Sequence, residues 1–411
     1  MMASYVFPVD AKAVQRWCAG ATYLSGCFPF VSPVPLSGVD TQPLCLLFAV
    51  LLLMLQMCTT GIKRHDLLVL FIASGSLVYL SPLGGLGGEV GKSVSLLAGM
   101  IILVAGRMVE PALAYRLLRF AIVAYFIGSC LILLAPEQFL ALQGRIVRAV
   151  NVDPNNPLGY RGVPTFATEA GLLGGLLVFF LLELRSFAAA GVGTVRQRRL
   201  LAVLVGTTIL LTKSGMGYFY LVLFLGLITL QDRVHSKRAM LFAGVLIACG
   251  FGALLALVSA FEIDNRGLQL LAGIASGSTF GEDTSVLKRV YDLVIGFISL
   301  RDSPLGVGAN MVDAAVNRIA FEHGLVREVD YGGSISLVSG ISWMFVAFGL
   351  PGLCFLLYLF LRYSRAPLPN KIFALVFFSF SYSPAFPAIW ILLARPLAPG
   401  DAAPAQSLNR T

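Results

Sequence analysis

The sequence predicts an all-α protein, a polytopic transmembrane helix bundle with a partly helical loop cap on one side. Three observations lead there. Runs of about 20 apolar residues, the length a helix needs to cross a bilayer, recur along the whole chain. Charge is scarce: 12% of the 411 residues are charged against 57% hydrophobic, and the mean hydropathy is +0.84, whereas soluble domains carry about 25% charged residues. The basic residues that do occur gather between alternate apolar runs.

Taken in order, the runs give eleven expected spans: residues 16–35, 43–59, 67–83, 93–105, 113–135, 166–184, 200–211, 216–230, 239–261, 335–361 and 373–393. The first is interrupted by Pro29 and Pro33, and the seventh is short. Many further runs follow the first, so it reads as an uncleaved span and not as a signal peptide. Lys12 and Arg16 precede it, and the other basic clusters follow the even-numbered spans. These are Lys63 and Arg64; Arg107, Arg116 and Arg119; Arg185, Arg196, Arg198 and Arg199; Arg233, Lys237 and Arg238; and Arg362, Arg365 and Lys371. If each span crosses once, all lie on one side, which the positive-inside rule assigns to the cytoplasm. The same rule accounts for the net charge of +9, so no nucleic-acid partner is needed to explain it.

The opposite side receives two long polar segments, 136–164 and 262–333, in a chain whose other connections are short. Loops of that length between packed helices tend to be functional. One integral membrane domain with an outer cap is expected, ending in an Ala- and Pro-rich tail at 396–411 that reads as disordered. The seven cysteines sit in or beside apolar runs, and the three histidines are far apart. Neither set has metal-ligand spacing, and no nucleotide-binding glycine motif or paired acidic metal motif occurs, so neither metal nor cofactor is expected.

Three places put ionisable groups at the outer edge. In Gly159-Tyr160-Arg161-Gly162-Val163-Pro164-Thr165-Phe166-Ala167-Thr168-Glu169, Arg161 enters a helix and Glu169 is expected about two turns deeper. A carboxylate there is either costly and functional or solvated at the interface. Lys213, in Thr212-Lys213-Ser214-Gly215, lies outside against the charge trend. An anionic ligand, pairing with Glu169, or snorkelling to headgroups would each explain it. The third place runs from Lys288-Arg289 to Arg301-Asp302-Ser303-Pro304-Leu305-Gly306-Val307-Gly308, with His323 downstream. Apolar residues at Leu287, Val290, Tyr291, Val294 and Phe297 predict a helix lying on the membrane surface or lidding a cavity. Arg161, Lys213 and Arg289 suit the pyrophosphate of a polyprenyl lipid. Glu169, Asp302 or His323 suits a general base towards a sugar hydroxyl.

Arg161 with Glu169-Ala-Gly, Leu211-Thr-Lys-Ser-Gly, Arg289 with Asp302-Ser-Pro-Leu-Gly-Val-Gly, and Phe348-Gly-Leu-Pro-Gly, in that order, resemble the O-antigen polymerase and O-antigen ligase superfamily. The resemblance covers about residues 160–361. It implies a GT-C-like, metal-independent glycosyltransferase of the bacterial inner membrane with its active site facing the periplasm. Such an enzyme transfers glycan from an undecaprenyl-pyrophosphate donor, and a chain-length regulator is a candidate partner. The superfamily's pyrophosphate arginines map to Arg161 and Arg289, while Lys213 stands where relatives often have Ser-Arg. Gly333-Ser334 stand where ligases carry a His-Asn pair, which favours a polymerase acting on a lipid-linked acceptor over a ligase. A transporter or flippase of an anionic lipid-linked solute is the reading from a different class. The sequence shows no inverted repeat to support it.

Overall fold

The structure, a computed structural model, describes residues 10–32, 42–78, 90–147, 164–233, 284–325, 337, 339–380 and 386–395. Among them it is all-helical, with one isolated antiparallel bridge between Val31 and Val147. The helices are α1 (Ala11–Cys27), α2 (Pro43–Thr59), α3 (Arg64–Val78), α4 (Val90–Gly106), α5 (Pro111–Leu134), α6 (Pro136–Ile146) and α7 (Ala170–Ala189). They continue as α8 (Val195–Leu211), α9 (Gly215–Arg233), α10 (Thr284–Asp302), α11 (Val312–Glu322), α12 (Gly340–Leu357), α13 (Leu368–Phe380) and α14 (Pro387–Ala394). Residues 358–363 extend α12 as a π-turn. The expected span 239–261, Arg161, residues 262–283 and 326–333 of the second outer loop, and the tail lie outside the described residues.

Among the described residues, three helices are long and apolar enough to cross a membrane: Pro111–Leu134, Ala170–Ala189 and Gly340–Tyr363. Four shorter apolar helices accompany them: Pro43–Thr59, Ser93–Gly106, Gly215–Thr229 and Leu368–Phe380. The eleven full spans expected from hydropathy are therefore not all seen. Local chemistry explains several shifted boundaries. The α8 helix begins at Val195 and not at 200 because Thr194 and Gln197 form a capping box, each side chain meeting the other's backbone amide. Its first turn carries basic residues that a hydropathy reading discards. The α7 helix begins at Ala170 because Thr165 is held in the left-handed region at φ 51°, closing a turn in which the Ala167 N–H donates to Pro164 O at 2.8 Å.

Large apolar side chains face outward along α2 and α3, Met54, Met57 and Phe71 among them, Phe71 with 77% of its surface exposed. A continuous apolar exterior on a helix bundle is what lipid contact demands and water does not tolerate. Inside, glycines bring helices together. A Cβ on Gly174 would sit 2.3 Å from Gly217 Cα, and one on Gly171 would lie 3.6 Å from Ser214 Oγ. This aligns α7 and α9 in parallel with their N-terminal ends level.

The α10 helix does not lie across the helix ends as its apolar stripe suggested. It runs beside the first half of α12, with Asp292 Oδ2 accepting from the Ser339 N–H at 3.2 Å, Gly296 against Ser342, and Phe297 against Phe345 with ring centroids 5.7 Å apart. At Gly349, φ 58°, α12 is broken, and Pro351 two residues on has no N–H to continue the ladder. The turn after α10 fills the gap. Val307 and Gly308 N–H donate to Val346 O and Ala347 O at 2.9 and 3.0 Å, and Leu350 N–H donates to Pro304 O at 2.7 Å. Gly306 is needed at this junction: its φ is +80°, and a Cβ there would meet Ala347 O at 2.4 Å.

The expected eleventh span, 373–393, is two helices and not one crossing. The α13 helix starts four residues after Ser364, yet α14 ends beside it, with Ser364 Oγ donating to Leu393 O at 2.7 Å. Phe377 stacks near Phe386, centroids 5.1 Å apart, and Phe378 near Trp390 at 5.0 Å. The pair forms an antiparallel hairpin, and Arg395 therefore returns to the end of the bundle from which α13 departs.

Candidate functional site

One end of the bundle gathers three of the six residues singled out in the sequence. Glu169 is exposed at the N-cap of α7 and makes no capping bond of its own. It is therefore at the helix mouth, not two turns inside a span. The segment that delivers it is fixed from behind. Gln143 Nε2 on α6 donates to Thr165 O at 2.5 Å and to Ala167 O at 3.3 Å, and Ser129 Oγ of α5 lies 2.8 Å from Thr165 Oγ1. Lys213 is exposed in the three-residue turn between α8 and α9, with φ 51°, where a side chain other than glycine is strained. Thr212 and Ser214 on either side are buried, and Ser214 Oγ accepts from Gly217 N–H at 3.3 Å. Because Gly171 packs on Ser214 and Met216, Glu169 and Lys213 occupy adjoining chain reversals.

Arg289 joins this end through α13. Its Nε donates to Phe380 O at 3.0 Å, the last carbonyl of α13, a place where a cation also meets the negative end of the helix dipole. Phe380 packs on Phe219 of α9 at 5.8 Å, and Phe377 lies under Gly175 of α7. The α7 N-terminus, the α8–α9 turn, the α13 C-terminus and the start of α10 thus share one face, carrying Glu169, Lys213 and Arg289.

Asp302 and His323 are elsewhere. The 13 residues from Arg289 to Asp302 span about 20 Å at 1.5 Å per residue, down the length of α10. Exposed Asp302 accepts from Arg301 Nε at 2.8 Å, and that bond holds its carboxyl below the usual carboxylate range, with His323 and Arg318 adding to the field. His323 is exposed at the C-cap of α11. The structure separates these two from the first cluster, and Arg161 lies outside the described residues.

Two ionic clusters were not anticipated. Glu183, 0% exposed on α7, pairs with Arg395, 6% exposed, Nε to Oε2 at 3.3 Å. Tyr23 OH of α1 donates to the same oxygen at 3.0 Å, and Arg395 Nη1 donates to Val109 O at 3.0 Å. The guanidinium also lies over the rings of Tyr23 and Phe187, 5.2 and 5.3 Å from their centroids. The second cluster joins α3, α4 and α12. Arg107 donates to Asp66 Oδ1 at 2.9 Å and to Tyr363 O at 2.7 Å, while Tyr363 OH donates to Asp66 Oδ1 at 2.7 Å.

Among the described residues, no group of three or more His, Cys, Asp or Glu side chains is placed to hold a metal ion. A cavity of about 10 Å³ lined by Leu96, Gly340, Ile341, Met344, Leu356, Phe378 and Trp390 is wholly apolar and includes none of the ionisable residues above. No protein-family model matches this chain, and no curated protein matches it.

Proposed function

We propose that this chain is a metal-independent glycosyltransferase of the bacterial inner membrane that polymerises lipid-linked polysaccharide repeat units on the periplasmic face, within a GT-C-like bundle. The observation that carries the reading is that Glu169, Lys213 and Arg289 lie at the same end of an apolar bundle, where α7, α9 and α13 come together. Two cations and a carboxylate at one end of an apolar bundle suit a lipid-borne pyrophosphate and a sugar hydroxyl at once. In the reaction, a hydroxyl of the lipid-linked acceptor attacks the anomeric carbon of the donor glycan. Its proton passes to the Glu169 carboxylate, and the anomeric carbon–oxygen bond breaks. The electron pair leaves with undecaprenyl pyrophosphate, whose charge Arg289, Lys213 and, by the family resemblance, Arg161 stabilise. Asp302 and His323 lie a helix length away from Arg289, so of the three base candidates the geometry favours Glu169.

The test is the polysaccharide ladder of cells lacking the gene, complemented with wild type or with Arg289→Ala, Lys213→Ala or Glu169→Gln, each checked for membrane expression. Single repeat units on the final acceptor, with a ladder restored only by wild type, are the expected result. An unchanged ladder with Arg289→Ala at normal expression overturns the reading. Loss of surface glycan with polymer retained on the lipid carrier identifies a ligase instead. One observation favours the transporter reading: α12 is discontinuous at Gly349, a feature of transporters that bind solutes between half-helices. Loss of the ladder, with repeat units held on the cytoplasmic face, is its signature.

A further inference from the structure

The α5 and α8 helices repeat one pattern on their outer faces. On α5 the exposed positions include Arg116, Arg119, Phe120, Val123, Ile127, Leu131 and Leu134, and on α8 they include Arg196, Arg199, Leu200, Val203, Thr207 and Leu210. In each, two arginines three residues apart are followed at once by a large apolar residue and then by valine, all on a single helical stripe. The two helices pack against each other and both rest on α7, so the faces turned away from α7 adjoin. Their N-terminal ends are level, because Tyr115 of α5 lies under Gly193 just before α8. Four arginines therefore crown two parallel apolar stripes.

Neighbouring basic residues are occupied differently. Arg198 donates to Val192 O and Gly193 O at 2.8 Å each, Arg16 pairs with Glu110 at 3.2 Å, and Arg107 pairs with Asp66. Among the described residues no acidic side chain pairs with Arg116, Arg119, Arg196 or Arg199. The stripe on α8 from Leu200 to Leu210 is about 15 Å long at 1.5 Å per residue, half the hydrocarbon thickness of about 30 Å.

We propose that this double stripe binds an anionic phospholipid, its phosphate among the four arginines and its acyl chains along Phe120, Val123, Leu200 and Val203. The match is of charge and length together: forked cations suit phosphate oxygens, and the apolar stripes below them suit the acyl chains of one leaflet. The proposal rests on membrane embedding alone and is independent of the reaction proposed above.

The full-length protein is purified in detergent, exchanged with equimolar phosphatidylglycerol and phosphatidylcholine, and examined by native mass spectrometry for retained lipid. Wild type is expected to retain phosphatidylglycerol over phosphatidylcholine by about tenfold or more, given the attraction of clustered arginines to anionic headgroups. The joint variant Arg116→Gln, Arg119→Gln, Arg196→Gln, Arg199→Gln loses that preference, while Arg362→Gln with Arg365→Gln, exposed arginines outside the stripe, keeps it. The proposal is overturned if wild type shows no preference, if the joint variant keeps it, or if the control pair loses as much. Should the joint variant fail to fold, the two double variants, one per helix, are read separately, and each must lower the preference.

Discussion

Glu183→Ala is the substitution with the largest expected cost, because it leaves the Arg395 guanidinium buried without its counter-ion. Glu183 is completely enclosed and accepts from both Tyr23 OH and Arg395 Nε on one oxygen. Removing one member of a buried pair costs about 3–5 kcal/mol, a large part of the 5–15 kcal/mol that typically separates folded from unfolded protein. Glu183→Gln keeps an acceptor for Tyr23 and should cost less. The pair itself contributes less than its breakage suggests. It is held by one oxygen and one nitrogen, and among the described residues Glu183 Oε1 and Arg395 Nη2 have no partner. Replacing both residues by apolar ones, Glu183→Leu with Arg395→Met, should therefore restore most of the loss. Thermal unfolding of the purified protein, followed by intrinsic fluorescence, gives the four values that close the double-mutant cycle. If Glu183→Ala costs under about 1 kcal/mol, or the double variant costs as much as the two single losses added, Arg395 is not held by this pair.

Gly174→Ala should cost several kcal/mol and Gly206→Ala almost nothing, in the same unfolding assay. A Cβ at Gly174 would meet Gly217 Cα at 2.3 Å, backbone that cannot move aside, whereas one at Gly206 meets nothing within 4 Å. Arg301→Ala should raise the Asp302 titration midpoint towards the ordinary carboxylate range, read by carbon NMR on labelled aspartate. Its depressed value means that the Arg301 contact favours the folded state above the unfolded pKa and loses that effect as pH falls through the folded one. A reporter fused after Arg395 should score on the same side as one inserted between Lys63 and Arg64, because α14 returns to Ser364. Scoring on opposite sides would restore a single crossing at 373–393.

Helix type was legible almost throughout, because an apolar run of this length has few alternatives. Pro43–Thr59 matches its expected bounds, and α5 differs by no more than two residues at either end. The clusters at Lys63–Arg64, Arg107 and residues 362–365 do lie at one end, joined through Asp66 and Tyr363. What failed was depth and return. Glu183 stands within two residues of the end of the expected span 166–184, and Arg395 just past the expected span 373–393, so nothing in the sequence brings the two together. Hydropathy sees only the sum over 373–393, not that a second helix starts at Pro387. Among the site residues, Lys213 and Arg289 come near Glu169 only because Gly171, Gly174 and Gly175 let α9 and α13 approach α7. That contact depends on partners more than 40 residues away in the chain. Asp302 was grouped with Arg289 because they are close in sequence, and a helix carried them apart.

The break in α12 bears on how the chain is assembled. Without residues 304–308, Val346 O, Ala347 O and Leu350 N–H would have no partner, and each such group left in hydrocarbon costs several kcal/mol. This helix cannot be handed into lipid by itself as an ordinary hydrophobic segment. The turn that completes it is translated first. The broken helix and the turn that caps it are therefore stable in the bilayer only as one unit.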